Sequence, residues 1–303
     1  MAALISPGMQ LTQSSNSLNE KGYIEFENLI PEDCIVRINE LIEKPLNRPM
    51  INGRLGYIKK DNIRYLSSSL SWGREIIEAY TNQDIVQLME HYVHEEVHLS
   101  NYRIYRSFPS SYERMKWHVD NKTDVYDEAK NRFINKVALH DKGIIMIVYL
   151  SNVEDGGLQI VSGSHQWSFK EDKENWDDRV NQFREQIVTF NNRRRGTVIL
   201  YDYRCIHRAQ PFRKGNPRTS LFGQYSPSFM PVGEPILLCT RDLDGLSDMQ
   251  KRILNFNQTP SGENWPIGSV GDLVHEIGLP QTATSLMISI FKKLAKKFRL
   301  WPR

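Results

Sequence analysis

The sequence predicts a mainly β protein with flanking helices, an antiparallel sandwich or barrel preceded by an α-helical N-terminal part. Between residues 97 and 225 the chain breaks into short runs rich in β-branched and aromatic residues, separated by turn residues. Ahead of that stretch the apolar residues recur instead at helical spacing. With 303 residues, 40% of them hydrophobic and 25% charged, there is enough apolar material for one large core or two modest ones.

In chain order, residues 1–16 carry no basic stretch ahead of an apolar run, so they do not read as a signal peptide, and residues 1–17 are expected to be a flexible lead. Tyr23–Phe26 reads as a short strand. Pro31 opens a helix whose Cys34, Ile35, Ile38, Leu41 and Ile42 share one face. A second helical stretch covers residues 74–93, broken or capped at Asn82 or Asp84, with Ile77, Tyr80, Leu88, Met89 and Tyr92 as core candidates. The predicted strands are residues 97–108, 144–150, 158–161, 197–201 and 219–225. Two polar connections, 121–142 and 168–194, are longer than hairpin loops and of a size used for lids and binding loops. Beyond them come a strand at 236–239 and a helix over 247–256. No internal repeat is visible.

The lack of a signal-peptide pattern leads to an expected place in the cytoplasm, and Cys34, Cys205 and Cys239, odd in number and far apart, provide neither a disulfide framework nor a zinc ribbon. No apolar run reaches the roughly 20 residues that span a bilayer. The net charge of +3 is unevenly spread, for residues 285–303 hold six basic side chains and no acid, leaving the rest at −3. In that tail Met287, Ile290, Phe291, Leu294, Phe298 and Trp301 recur at helical spacing. Two readings stand: an interfacial helix that suits an anionic membrane surface and makes the protein peripheral, or a helix docked on the barrel or a partner subunit.

The chemistry centres on Trp117-His118-Val119-Asp120, where an imidazole and a carboxylate two residues apart fall on one face of an extended segment. His94 and Glu96 have the same spacing but sit near a helix end, which splays them apart. His207, delivered by the apolar run after Gly196, supplies a third ligand. Two imidazoles and one carboxylate on one face of an octahedron leave three positions open, as in iron(II) oxygenases. Arg218 and Ser220, eleven and thirteen residues further on, share a strand face and suit a bidentate carboxylate.

These residues stand in a wider pattern. Residues 18–31, the segment from Tyr149 through Gly156-Gly157 to Gly163-Ser164-His165, residues 196–207, and Arg218-x-Ser220 together resemble, in order, the phytanoyl-CoA dioxygenase family. The resemblance covers roughly residues 18–228 and implies a double-stranded β-helix, a jelly-roll or cupin-like barrel; the domain is expected over residues 18–283 with its core at 97–228, and the tail helix at 284–303. It implies Fe(II) held by His118, Asp120 and His207, 2-oxoglutarate anchored by Arg218 and Ser220, O2 as oxidant, and hydroxylation of an unactivated C–H bond with release of succinate and CO2. Tyr105 could hydrogen-bond the keto acid or simply fill the barrel, and His165 reads as a turn residue. Related halogenases lack the carboxylate that Asp120 supplies. The substrate class is a small molecule or something lipid-like. Two rivals are a non-catalytic metal-binding barrel and an oxygenase acting on nucleic acid, disfavoured because Arg193-Arg194-Arg195 is a weak patch beside acidic residues.

Overall fold

The computed structural model describes residues 7–47, 57–60, 62–66, 68–110, 116–120, 122–127, 132–137, 142–167, 176–230 and 236–256. The helices are α1 (Pro7–Lys21), α2 (Glu32–Asn47), α3 (Arg74–Tyr80), α4 (Gln83–Val93), α5 (Trp176–Gln182) and α6 (Asp248–Ile253). The strands are β1 (Tyr23–Phe26), β2 (Tyr57–Lys60), β3 (Ile63–Leu66), β4 (Val97–Ser107), β5 (Lys122–Asp127), β6 (Arg132–Val137), β7 (Ile144–Tyr149), β8 (Leu158–Val161), β9 (Ile187–Thr189), β10 (Val198–Asp202), β11 (His207–Ala209) and β12 (Arg218–Pro227). A seven-stranded sheet runs β1-β10-β7-β12-β4-β3-β2, a three-stranded sheet runs β11-β8-β9, and β5 and β6 form a hairpin. Every one of these pairings is antiparallel.

Strand alternation divides the large sheet between two cores. Ile144, Met146, Val148, Val198, Leu200 and Leu221 point to one face, where α2, α3 and α4 cover them with Ile38, Ile77 and Met89 among others. Ile145, Ile147, Tyr149, Ile199, Tyr201 and Phe222 point to the other and meet Leu158 and Ile160 of the small sheet. β7, buried at all six positions, reads as an unbroken apolar run for this reason. Tyr80 ties the helical layer to the sheet: its one hydroxyl proton is shared between the carbonyls of Phe222 (3.0 Å) and Arg103 (3.1 Å). No ladder among the described residues joins the two sheets, so the barrel is a pair of facing sheets.

Several expectations change. Residues 7–17 are helical, not a loose lead, and α1 is held by its buried Leu18, Ser14 and Ser15. Residues 236–239 form no strand; the Leu237 amide donates to the Tyr102 hydroxyl at 3.1 Å. The connection 121–142 contains the β5–β6 hairpin. Asn82 is the cap of α4, accepting from the Ile85 amide. The tail helix expected at 284–303 lies outside the described residues. No helix among the described residues is long and apolar enough to cross a membrane.

Candidate metal centre

His118 and His207 face each other across a short antiparallel bridge, His118 N–H donating to His207 O (3.0 Å) and His207 N–H to His118 O (2.9 Å). The Asp120 amide donates to Tyr203 O at 3.0 Å, which extends the pairing by two residues. Alternation does the rest. Trp117 and Val119 turn into a third apolar cluster with Val161, Val180 and Ile206, so His118 and Asp120 are left on the opposite side.

The side chains converge as the spacing requires. His118 Nε2 lies 3.6 Å from Asp120 Oδ1 and His207 Nε2 lies 3.4 Å from Asp120 Oδ2. One ligand atom from each falls within 4.8 Å of the others, and this is the one such cluster among the described residues. The tautomers are set by the backbone. His118 Nδ1 is 2.8 Å from Lys116 O and His207 Nδ1 is 3.0 Å from Cys205 O. A carbonyl only accepts, so each Nδ1 carries the proton and each Nε2 keeps its lone pair for a metal. Burial works against the Asp120 charge, but the imidazoles when protonated, His207 first through charge and hydrogen bond and then His118, together with Arg103, outweigh it and bring the carboxyl down to about 2; a metal would stand in for those protons. Burial pushes the nearby Tyr201 hydroxyl and Cys205 thiol up.

Two local devices aim His207. Asp202, fully buried at the end of β10, accepts from the Tyr92 hydroxyl (2.6 Å) and from Arg204 Nε and Nη2 (2.9 and 2.6 Å), fixing the turn over residues 203–206. Ser164 Oγ donates to Val161 O (2.7 Å) and accepts from the Ile206 amide (2.8 Å), one residue before the ligand. Gly163 precedes it at φ +77°, a conformation that suits glycine. The Gly-Ser-His segment is therefore a brace for the strand bearing His207. His165 bonds through Nε2 to Asn19 O (3.0 Å) at the end of α1, as befits a turn residue.

The wall opposite the ligands is β12 and β4. Arg218, Ser220 and Phe222 share the face that looks between the sheets. Arg218 is 4% exposed and Ser220 0%, and neither has a hydrogen-bond or ion-pair partner among the described residues; Arg218 Nε and Ser220 Oγ are both buried and unsatisfied. Tyr105 pairs across from Ser220 and packs partly buried against this inter-sheet core, its ring 6.2 Å from that of Tyr65. One wall residue was missed from sequence: Arg103, opposite Phe222, with its guanidinium carbon 3.9 Å from the centre of the Phe222 ring. Its signal was available, two residues before Tyr105 on the same strand face. By contrast His94 ends α4 in a left-handed conformation and Glu96 pairs with Arg252 at 3.5 Å, so that second His-x-Glu is structural.

Two facing antiparallel sheets, with an open-faced His-Asp-His set between them and a buried guanidinium across the cavity, define a mononuclear metal-binding protein of the double-stranded β-helix class. The chain belongs to the phytanoyl-CoA dioxygenase (PhyH) family, whose sequence model matches residues 18–220. Among solved structures it is similar to SnoN, described as a non-heme alpha-ketoglutarate-dependent epimerase from nogalamycin biosynthesis (14% identity, 88% of this chain and 98% of that one, TM-score 0.58). It is similar to HygX from Streptomyces hygroscopicus, solved with nickel, 2-oxoglutarate and hygromycin B (16% identity, 77% and 94%, TM-score 0.58). A third is SnoK, a carbocyclase from nogalamycin biosynthesis (16% identity, 71% and 83%, TM-score 0.53). No curated protein sequence matches the chain.

Proposed function

We propose that this protein is an Fe(II)- and 2-oxoglutarate-dependent oxygenase that hydroxylates an unactivated C–H bond of a small molecule. The observation that carries the reading is the pairing of an open metal face with Arg218, a buried cation that has no counter-charge among the described residues. A buried unpaired charge is costly, and the far carboxylate of a dicarboxylic acid would satisfy it bidentately. Ser220 would add its unsatisfied hydroxyl to the same carboxylate, and Tyr105, beside it, would line the keto acid.

The residues fit the metal. His118 and His207 would bind it through Nε2 and Asp120 through a carboxylate oxygen, leaving a face for cosubstrate and O2. When bound, iron with 2-oxoglutarate and O2 supplies the oxidising chemistry, with succinate and CO2 as co-products. The protein's own share is placement: the backbone carbonyls behind each imidazole fix its tautomer, Arg218 fixes the distance of the cosubstrate from the metal, and the apolar walls of β7 and β10 exclude water. HygX, a fold relative, was solved with 2-oxoglutarate, which supports the cosubstrate. SnoN and SnoK carry the names epimerase and carbocyclase, so the fold does not select one reaction; the Asp120 carboxylate favours hydroxylation over halogenation. The nucleic-acid rival loses its patch, because Arg193 and Arg195 are engaged by Glu25 and Glu32.

The test is succinate release from 2-oxoglutarate under air with Fe(II). Arg218→Met is expected to raise the KM for 2-oxoglutarate by about 100-fold while iron binding is kept, the scale of a lost charge-assisted pair. An unchanged KM would remove Arg218 from the cosubstrate.

A further inference from the structure

Arg103 is a second guanidinium on the wall facing the metal ligands. Its position follows from register. Asn101, Arg103, Tyr105 and Ser107 of β4 pair with Gln224, Phe222, Ser220 and Arg218 of β12, and all eight share the inter-sheet face, opposite to Ile104 and Leu221. The guanidinium lies over the Phe222 ring, and Phe222 packs in one cluster with Tyr201, whose ring is 4.9 Å from that of His207. Among the described residues Arg103 has no acidic partner, and its one hydrogen bond is a long contact from Nη1 to Asn101 Oδ1 at 3.4 Å.

A count of charges gives this residue its meaning. A divalent metal, the Asp120 carboxylate, the Arg218 guanidinium and dianionic 2-oxoglutarate sum to zero. The proposed cofactor set is therefore neutral without Arg103, which adds one half-buried positive charge beside the Phe222 ring on the face that looks between the sheets. A half-buried guanidinium that has no acidic ion-pair partner keeps its fork of donors for an anion that enters between the sheets.

We propose that Arg103 is the binding residue for an anionic group, a carboxylate or its equivalent, on the substrate itself. The substrate class narrows to small acids, held by a guanidinium on β4 so that a C–H bond elsewhere in the molecule is presented to the metal face. This rests on the oxygenase reading above, and it goes beyond that reading in assigning the substrate's charge and its anchor. The other source of a carboxylate is the metal-side end of 2-oxoglutarate, and the two sources make different demands on a variant.

The experiment uses the anaerobic Fe(II)·2-oxoglutarate holoprotein. Its visible charge-transfer band is monitored while metabolites from the protein's source cells are added, after separation on an anion-exchange resin into an acidic and an unretained fraction. Aerobic succinate release is followed in parallel. The acidic fraction is expected to perturb the band and stimulate succinate release. Arg103→Met is expected to weaken that response at least tenfold with the Kd for 2-oxoglutarate changed less than threefold, and Arg103→Lys to keep part of it. A response to the unretained fraction alone, to neither fraction, or one that Arg103→Met leaves intact overturns the proposal. A tenfold or greater rise in the Kd for 2-oxoglutarate assigns the guanidinium to the cosubstrate and overturns it equally. Should Arg103→Met fail to fold, the wild-type fractions and Arg103→Lys decide. Absence of the band from the wild type before any addition is a failure of the oxygenase reading instead.

Discussion

Arg218 and His98 carry opposite kinds of buried polarity. Arg218 is a buried guanidinium without a partner among the described residues, so Arg218→Met is expected to stabilise the ligand-free protein in chemical unfolding while removing the stabilisation that 2-oxoglutarate confers. Loss of stability in both states would make Arg218 a structural residue. His98 is fully buried with neither ring nitrogen bonded, and burial pushes it down to about 4. The unfolded chain titrates this ring near 6.5, so between about pH 6.5 and 4 it binds a proton that the folded chain refuses. Stability is therefore full above that window and falls as the pH drops through it, by about 3 kcal/mol for this residue. His98→Phe is expected to flatten that part of the profile in urea unfolding measured from pH 4 to 8; an unchanged slope would contradict it. The metal triad was legible in the sequence because all three ligands lie in short extended segments where period-two spacing is reliable. His98 was not. Gln224 pairs with Asn101 but Tyr225 with Leu99, so Ser100 is an extra residue that inverts the alternation beyond it. Counting back from Tyr105 puts Leu99 between the sheets, whereas Leu99 packs with the helical core.

At the scale of elements, the site is a set of turns braced from behind. Ser164 holds the amide of Ile206 and Asp202 holds the turn before it, so both act on the metal through His207. Ser164→Ala is expected to cost about 1 kcal/mol of stability and to weaken iron binding by about tenfold, read by metal titration monitored through the protein's intrinsic fluorescence. A loss of stability with unaltered affinity would confine Ser164 to folding. The glycines that open this brace were readable as turns; its hydrogen bonds were not, because they join segments over forty residues apart. The strands that read clearly, β1, β7, β8 and β10, have both an apolar period and flanking turn residues. The misread ones lack one or the other. Residues 236–239 are apolar but find no neighbouring strand, since β3 already occupies the free edge of β4. α1 was read as a loose lead because its composition is polar, and packing of Leu18 decides its state instead.

Over the whole molecule, one sheet separates two cores of different purpose. The face under α2, α3 and α4 is mostly apolar, with Asp202 and Arg106 bonded to the helices, while the face toward the small sheet sets Arg103, Arg218 and Ser220 among its apolar residues. Tyr80 bonds through the sheet to the carbonyls of Phe222 and Arg103, so Tyr80→Phe is expected to lower stability by about 1–2 kcal/mol and also to weaken binding in the inter-sheet cavity. The fold class was readable as a whole because long-range pairing leaves a local trace, the repeated short strand. Which residues of β4 face the metal was not, because that depends on register against β12. The central claim is that the His118-Asp120-His207 face and Arg218 bind one metal and one keto acid together. Anaerobic titration of the apo-protein with Fe(II) and then 2-oxoglutarate tests it most directly. A weak visible charge-transfer band that saturates at one equivalent of each, disappears in His207→Ala and needs far more 2-oxoglutarate in Arg218→Met is the expected result. Iron binding with no band at any concentration of 2-oxoglutarate would contradict it.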